Sequence, residues 1–100
     1  MFKIEFDERG QVLAQGRLDA AQAPRAQEFL DQVTDQCVID LSALEYISSA
    51  GLGVLLRTHK RLMAGGRGIR LVNVNTHIND IFTYSGFDRL FEIEPADRAG

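Results

Sequence analysis

A chain of 100 residues, 45% hydrophobic and 25% charged, has the size and make-up of one ordinary globular domain. The net charge of −3 comes from interspersed acids and bases, without the basic stripe of a nucleic-acid binder, and no apolar run nears the roughly 20 residues of a membrane span. The lone Cys37 can form no internal disulfide, and the N-terminus lacks a signal-peptide core, so a cytoplasmic setting is expected.

The first residues alternate Phe2, Ile4 and Phe6 with charges, which predicts a half-buried strand. A turn over 7–10 and a second strand over 11–16 make a hairpin. Arg17-Leu18-Asp19 then leads into a helix expected over 21–35, with Ala23, Ala26, Phe29, Leu30 and Val33 on one face and Pro24 in its first turn. Residues 37–41 are a continuous apolar run broken only by Asp40, the pattern of a central strand covered on both faces. A second long helix is expected over 50–63, with Leu52, Leu55, Leu56, Leu62 and Met63 as its apolar stripe and Gly65-Gly66 as its stop. A strand over 69–74 follows. Asn75 or Thr76 caps a short helix with Ile78, Ile81 and Phe82 inward, ending at Ser85-Gly86. A last strand over 90–93 and a polar tail over 94–100 complete the chain. The predicted fold is α/β: one domain with its core over 2–93, a mixed four- to five-stranded sheet, and helices packed on one face.

Catalytic readings fail on spacing. No G-x-S-x-G elbow surrounds Ser48 or Ser49. His59 lies ten residues beyond Ser49, roughly 15 Å along the same helix, and cannot serve it as a base. His77 starts another helix with no orienting carboxylate implied. Gly51-Leu52-Gly53 is followed by Leu56 where a dinucleotide fingerprint needs its third glycine, and Gly65-Gly66-Arg67-Gly68 lacks the Lys-Ser/Thr of a P-loop. One cysteine and two separated histidines give no metal-ligand spacing. The expectation is a protein without catalysis, cofactor or metal.

What remains is Ser48-Ser49-Ala50-Gly51 at the start of a helix. Backbone N–H groups there lack partners, and the helix dipole is positive. A serine in that place can cap the helix, accept a phosphate, or do both. The small residues beside it leave room for another protein to approach the backbone.

Here the chain resembles the STAS domain family, which includes the bacterial anti-anti-sigma factors. Gly16-Arg17-Leu18-Asp19 with Ala23-Pro24 resembles the family's Gly-Glu-Leu-Asp…Ala-Pro segment, Arg17 replacing the usual Glu. The run Val38-Ile39-Asp40-Leu41-Ser42 resembles its central strand. Residues 46–54 resemble its Asp-Ser-Ser/Thr-Gly-Leu-Gly signature, and residues 78–87 its short helix ending in Ser-Gly-Phe or Ser-Gly-Leu. The resemblance implies an anti-sigma factor antagonist. Such a domain binds an anti-sigma factor that is also a serine kinase of the histidine-kinase-like ATPase class; phosphorylation ends the binding and a phosphatase restores it. Ser48 stands where the signature has Asp, and Ala50 where the acceptor often lies. Ser49, two residues before Gly51, is therefore the expected phosphorylation site, with Ser48 as second candidate. The expected partner-contact set is Asp19, Asp40, Ser48, Ser49, Ala50, Gly51 and Gly53, with Asp19 and Asp40 close to Ser49. Two other readings stand beside this one. One is an unphosphorylated STAS subunit docking on a transporter ATPase or another scaffold. The other is a regulatory phosphoprotein tied to secretion or biofilm control.

Overall fold

The computed structural model describes residues 1–96, and the chain opens with the expected hairpin. Strands β1 (Phe2–Phe6) and β2 (Val12–Leu18) pair antiparallel, Phe2 opposite Gly16 and Phe6 opposite Val12. The Asp7 carboxylate closes the turn by accepting from the N–H groups of Arg9 and Gln11 at 2.8 and 2.9 Å. β2 runs on through Leu18, two residues past its expected end.

The remaining strands are parallel to β2. They are β3 (Cys37–Asp40), β4 (Leu44–Ile47), β5 (Ile69–Val74) and β6 (Glu92–Pro95). The order is β1-β2-β3-β5-β6, and β4 pairs with β2 beyond the end of β3. The sheet thus has six strands, where four to five were expected. The extra one, β4, lies in a stretch read as loop. Its buried residues, Leu44 and Ile47, are three apart, so it lacks the two-residue alternation that marks a strand.

Helices α1 (Ala23–Leu30), α2 (Ser49–Met63) and α3 (Thr76–Ser85) follow β2, β4 and β5. α1 has Pro24 in its first turn as expected, but stops at Leu30 rather than running to 35. Val33, Thr34 and Asp35 are poor helix formers, and the Val33 N–H closes a tight turn on the Leu30 carbonyl at 3.0 Å. α3 is capped by Asn75, whose Oδ1 accepts from the Ile78 N–H at 2.9 Å, and Gly86 ends it at φ +79°. A short 3₁₀ turn over Phe87–Arg89 delays the last strand to Glu92. Glu94 and Pro95 of the expected tail belong to β6; residues 97–100 lie outside the described ones.

The core lies between one face of the sheet and the helices. Val12, Ala14, Ile39, Leu71 and Ile69 face it and are buried, whereas Leu13, Val38 and Val72 on the opposite face are half-exposed. β3 is central, between β2 and β5, but is covered on one face only, contrary to its apolar sequence. α2 buries Gly51, Leu52, Val54, Leu55, Thr58 and Leu62. Leu56 is half-buried and Met63 exposed, so the inward stripe includes a glycine and a threonine where leucine and methionine were expected.

Candidate functional site

The path from β4 into α2 separates the two serines. The Ser48 N–H donates to the Leu18 carbonyl at 2.9 Å, tying this point to the end of β2. Ser48 is extended, and its Oγ accepts from the Gly51 N–H at 3.2 Å, which makes it the cap. Ser49 is the first helical residue and is exposed. One hydroxyl closes the helix; the next faces solvent at its positive end.

The two glycines of the signature also part. Gly51 is buried: a Cβ there would lie 2.8 Å from side-chain carbons of both Ile47 and Leu18, and 2.9 Å from the Leu18 carbonyl oxygen. Its missing side chain admits this chain's own β2 and β4, so the expectation that Gly51 meets a partner is corrected. Gly53 faces outward. A Cβ there would meet first the Arg57 guanidinium, at 3.2 Å, which lies back along the helix towards its start.

Ser49, Ala50, Gly53 and Arg57 form one wall of a groove of about 610 Å³ between α1 and α2; Ala23 and Gln27 are among the residues of the other. Gln27 joins the walls. Its Nε2 donates to Thr58 Oγ1 at 3.2 Å and to Asp31 Oδ1 at 2.9 Å, and its Oε1 accepts from Arg57 Nε at 3.1 Å. Glu28 and Asp31 add negative charge to the α1 side. Sequence reasoning missed this groove and the Gln27–Arg57 link, because the two residues are 30 apart in the chain. The only available signal was the small residues at Ala23, Ala50 and Gly53, and nothing in the sequence opposes the first to the other two.

Asp19 lies next to Leu18, at the same end of β2 as Ser48, and its Oδ1 accepts from the Gln22 N–H at 3.1 Å. Asp40 lies elsewhere. It pairs with Leu13, and Leu18 is five residues further along β2, roughly 16 Å away at strand rise. The expected placement of Asp40 beside Ser49 is therefore corrected. The reason is β4, which continues the track of β3 and carries the chain that distance before α2 begins. Asp40 instead accepts from the Ser42 N–H and from Asn73 Nδ2, both at 2.8 Å. Partial burial pushes its pKa up, but the bonds from Ser42 and Asn73, with the Arg9 charge, outweigh this and hold it below the usual carboxylate range.

The other chemically active side chains have structural places. His59 Nδ1 accepts from the Ile69 N–H at 3.0 Å, which puts any single ring proton on Nε2, and its ring centroid lies 4.9 Å from that of Phe91. His77 is exposed. Cys37 is buried, and burial pushes its thiol up to about 11 against a smaller opposing effect of the Arg61 charge. No helix among the described residues is long and apolar enough to cross a membrane.

Known proteins are similar to this chain in sequence and in fold. BtrV of Bordetella bronchiseptica, which carries the name of an anti-sigma factor antagonist, is 34% identical over 83 residues, covering 79% of this chain and 72% of BtrV. The crystal structure of an anti-sigma factor antagonist from Mycobacterium paratuberculosis superposes with a TM-score of 0.79 at 26% identity, over 95% of this chain and 85% of that one. The Bacillus cell fate determinant SpoIIAA in its phosphorylated form shares the fold, with a TM-score of 0.66 at 21% identity over 93% of this chain and 90% of the other. The model of the STAS domain matches residues 4–98. With that match over nearly its whole length, the chain belongs to the STAS domain family.

Proposed function

We propose that this chain is an anti-sigma factor antagonist, and that Ser49 is its phosphorylation switch. In this reading the unphosphorylated domain holds an anti-sigma factor that is also a serine kinase, and a phosphatase resets the modified form. The observation that carries the proposal is the division of labour between the serines. Ser48 makes the cap bond, so Ser49 can be modified without uncapping α2. The names of BtrV and the mycobacterial protein support the antagonist role, and the phosphorylated form known for SpoIIAA supports a switch of this kind.

The physics of the switch follows from the site. A phosphate adds about −1.5 to −2 charge at neutral pH. At the first helical residue the dipole tolerates that charge, so the fold stays as it is. A partner seated against Ser49, Ala50 and Gly53 would have to desolvate a new dianion in a groove that also holds Glu28, Asp31 and the basic Arg57. Binding is lost while the domain remains folded. Asp19, Ser48, Ser49, Ala50 and Gly53 make up the proposed contact surface.

Phosphopeptide mapping after incubation with the cognate kinase and ATP tests this. Label on Ser49 is the expected result. Label on Ser48 would move the switch onto the capping residue, and a bound kinase that labels neither serine would favour the unphosphorylated scaffold subunit instead.

A further inference from the structure

The hydrogen-bond pattern of the hairpin determines which groups β1 turns outward. The Arg17 N–H donates to the Met1 carbonyl at 2.8 Å, and the Asp7 N–H to the Gln11 carbonyl at 2.7 Å. Bonded and non-bonded pairs alternate along an antiparallel ladder, so Lys3 and Glu5 bond inward to β2 while Phe2, Ile4 and Phe6 point their N–H and C=O groups away from it. The sheet order leaves β1 at an edge, so those groups form an open row. The Arg25 guanidinium donates to the Phe2 carbonyl at 3.1 Å, so in a pair of β1 strands that oxygen takes a second donor.

The side chains on this edge are arranged for self-pairing. An antiparallel pair of β1 strands must set outward-pointing residues opposite one another. Centred on Ile4, it places Phe2 against Phe6 of the other copy, and Lys3 against Glu5 twice over. A shift of two residues sets Lys3 against Lys3 in one direction and Glu5 against Glu5 in the other. Lys3 and Glu5 side chains are 55% and 44% exposed and already lie within 3.5 Å of each other on the open face. On the opposite face Phe6 is 48% exposed, with its ring centroid 4.8 Å from that of Phe29. Beside it a depression of about 230 Å³ lined by Ile4, Arg25, Glu28, Phe29 and Gln32 has room for a neighbour's side chain. The other edge strand, β6, ends in Pro95 and has its two glutamates engaged by Arg70, so self-pairing there meets a missing N–H and finds no free charge to pair.

We infer that β1 pairs antiparallel with β1 of a second copy, centred on Ile4, and joins two six-stranded sheets into one. The two-fold relation closes the interface, so assembly stops at the dimer. The α1–α2 groove with Ser49 opens on the other flank of α1, and the two surfaces meet at Glu28.

The test is a charge swap followed by analytical ultracentrifugation from about 10 μM to about 1 mM, the weak end of the affinity scale. The unmodified chain should show a dimer fraction that rises with concentration. Lys3→Glu and Glu5→Lys, each alone, put like charges opposite and should weaken association at least tenfold. An equimolar mixture of the two restores both opposite-charge pairs and should associate like the original. Ile4→Pro removes an outward N–H without touching the β1–β2 ladder and should also abolish the dimer. A chain that stays monomeric throughout, a dimer indifferent to either charge change or to Ile4→Pro, or a mixture no more associated than its components would each overturn the inference.

Discussion

The inward and outward faces of α2 carry different kinds of constraint, although they share one amphipathic sequence. Inward, Gly51, Leu55, Thr58 and Leu62 are buried against the sheet and α1, and Gly51 leaves no room for a methyl group. Outward, Ser49, Gly53 and Arg57 face a groove, and the atoms nearest a Cβ at Gly53 belong to the far end of the Arg57 side chain. Two glycines two residues apart therefore do opposite work. One lets the chain close on itself, the other leaves space beside the helix. Surface and core are here separated by half a helical turn, the separation that the proposed switch at Ser49 requires if a phosphate is to alter binding while the inward face keeps the fold.

Substitutions on the two faces can break this contrast. Leu55→Ala should be the most damaging, costing about 2–5 kcal/mol for a buried truncation. A loss under about 0.5 kcal/mol in denaturant titration would mean that Leu55 is no part of the core. Gly51→Ala should follow, at roughly 2–3 kcal/mol of overpacking against Leu18 and Ile47, despite alanine's better helix propensity. Ser48→Ala should cost about 1 kcal/mol through loss of the cap bond, read as a lowered midpoint with an unchanged denaturant slope. Gly53→Ala should have the smallest effect and the opposite sign, a gain of up to about 1 kcal/mol, because Arg57 can move aside. Equal destabilisation by Gly51→Ala and Gly53→Ala would erase the distinction between the faces.

Most of the fold was legible because its signals are local. The hairpin, β5 and α3 carry their own periodicity and caps: alternation through Phe2, Ile4 and Phe6, the run over Ile69–Val74, and Asn75 with Gly86 at the two ends of α3. β4 and the true length of α1 were not legible, since each is decided by what it packs on rather than by its own pattern. Val38 shows the same limit: an apolar residue in a central strand that is left half-exposed on its outer face. At the site, the serines at the start of α2 could be read from the helix-start pattern. Which of them caps could not, because the choice depends on the Ser48 N–H reaching Leu18 on the neighbouring strand. Asp40 was misplaced for a related reason, as the length of β4 sets its distance from Ser49.

The most direct test of the switch is the affinity of the cognate anti-sigma kinase for Ser49→Asp and Ser49→Ala, measured by calorimetry beside the thermal midpoint of each variant. Ser49→Ala should bind like the original domain. Ser49→Asp should bind at least tenfold more weakly, about 1.4 kcal/mol, with its midpoint unchanged. Equal affinity for both variants, or a loss in Ser49→Asp matched by a fall in its midpoint, would contradict a switch that acts at the surface and spares the fold.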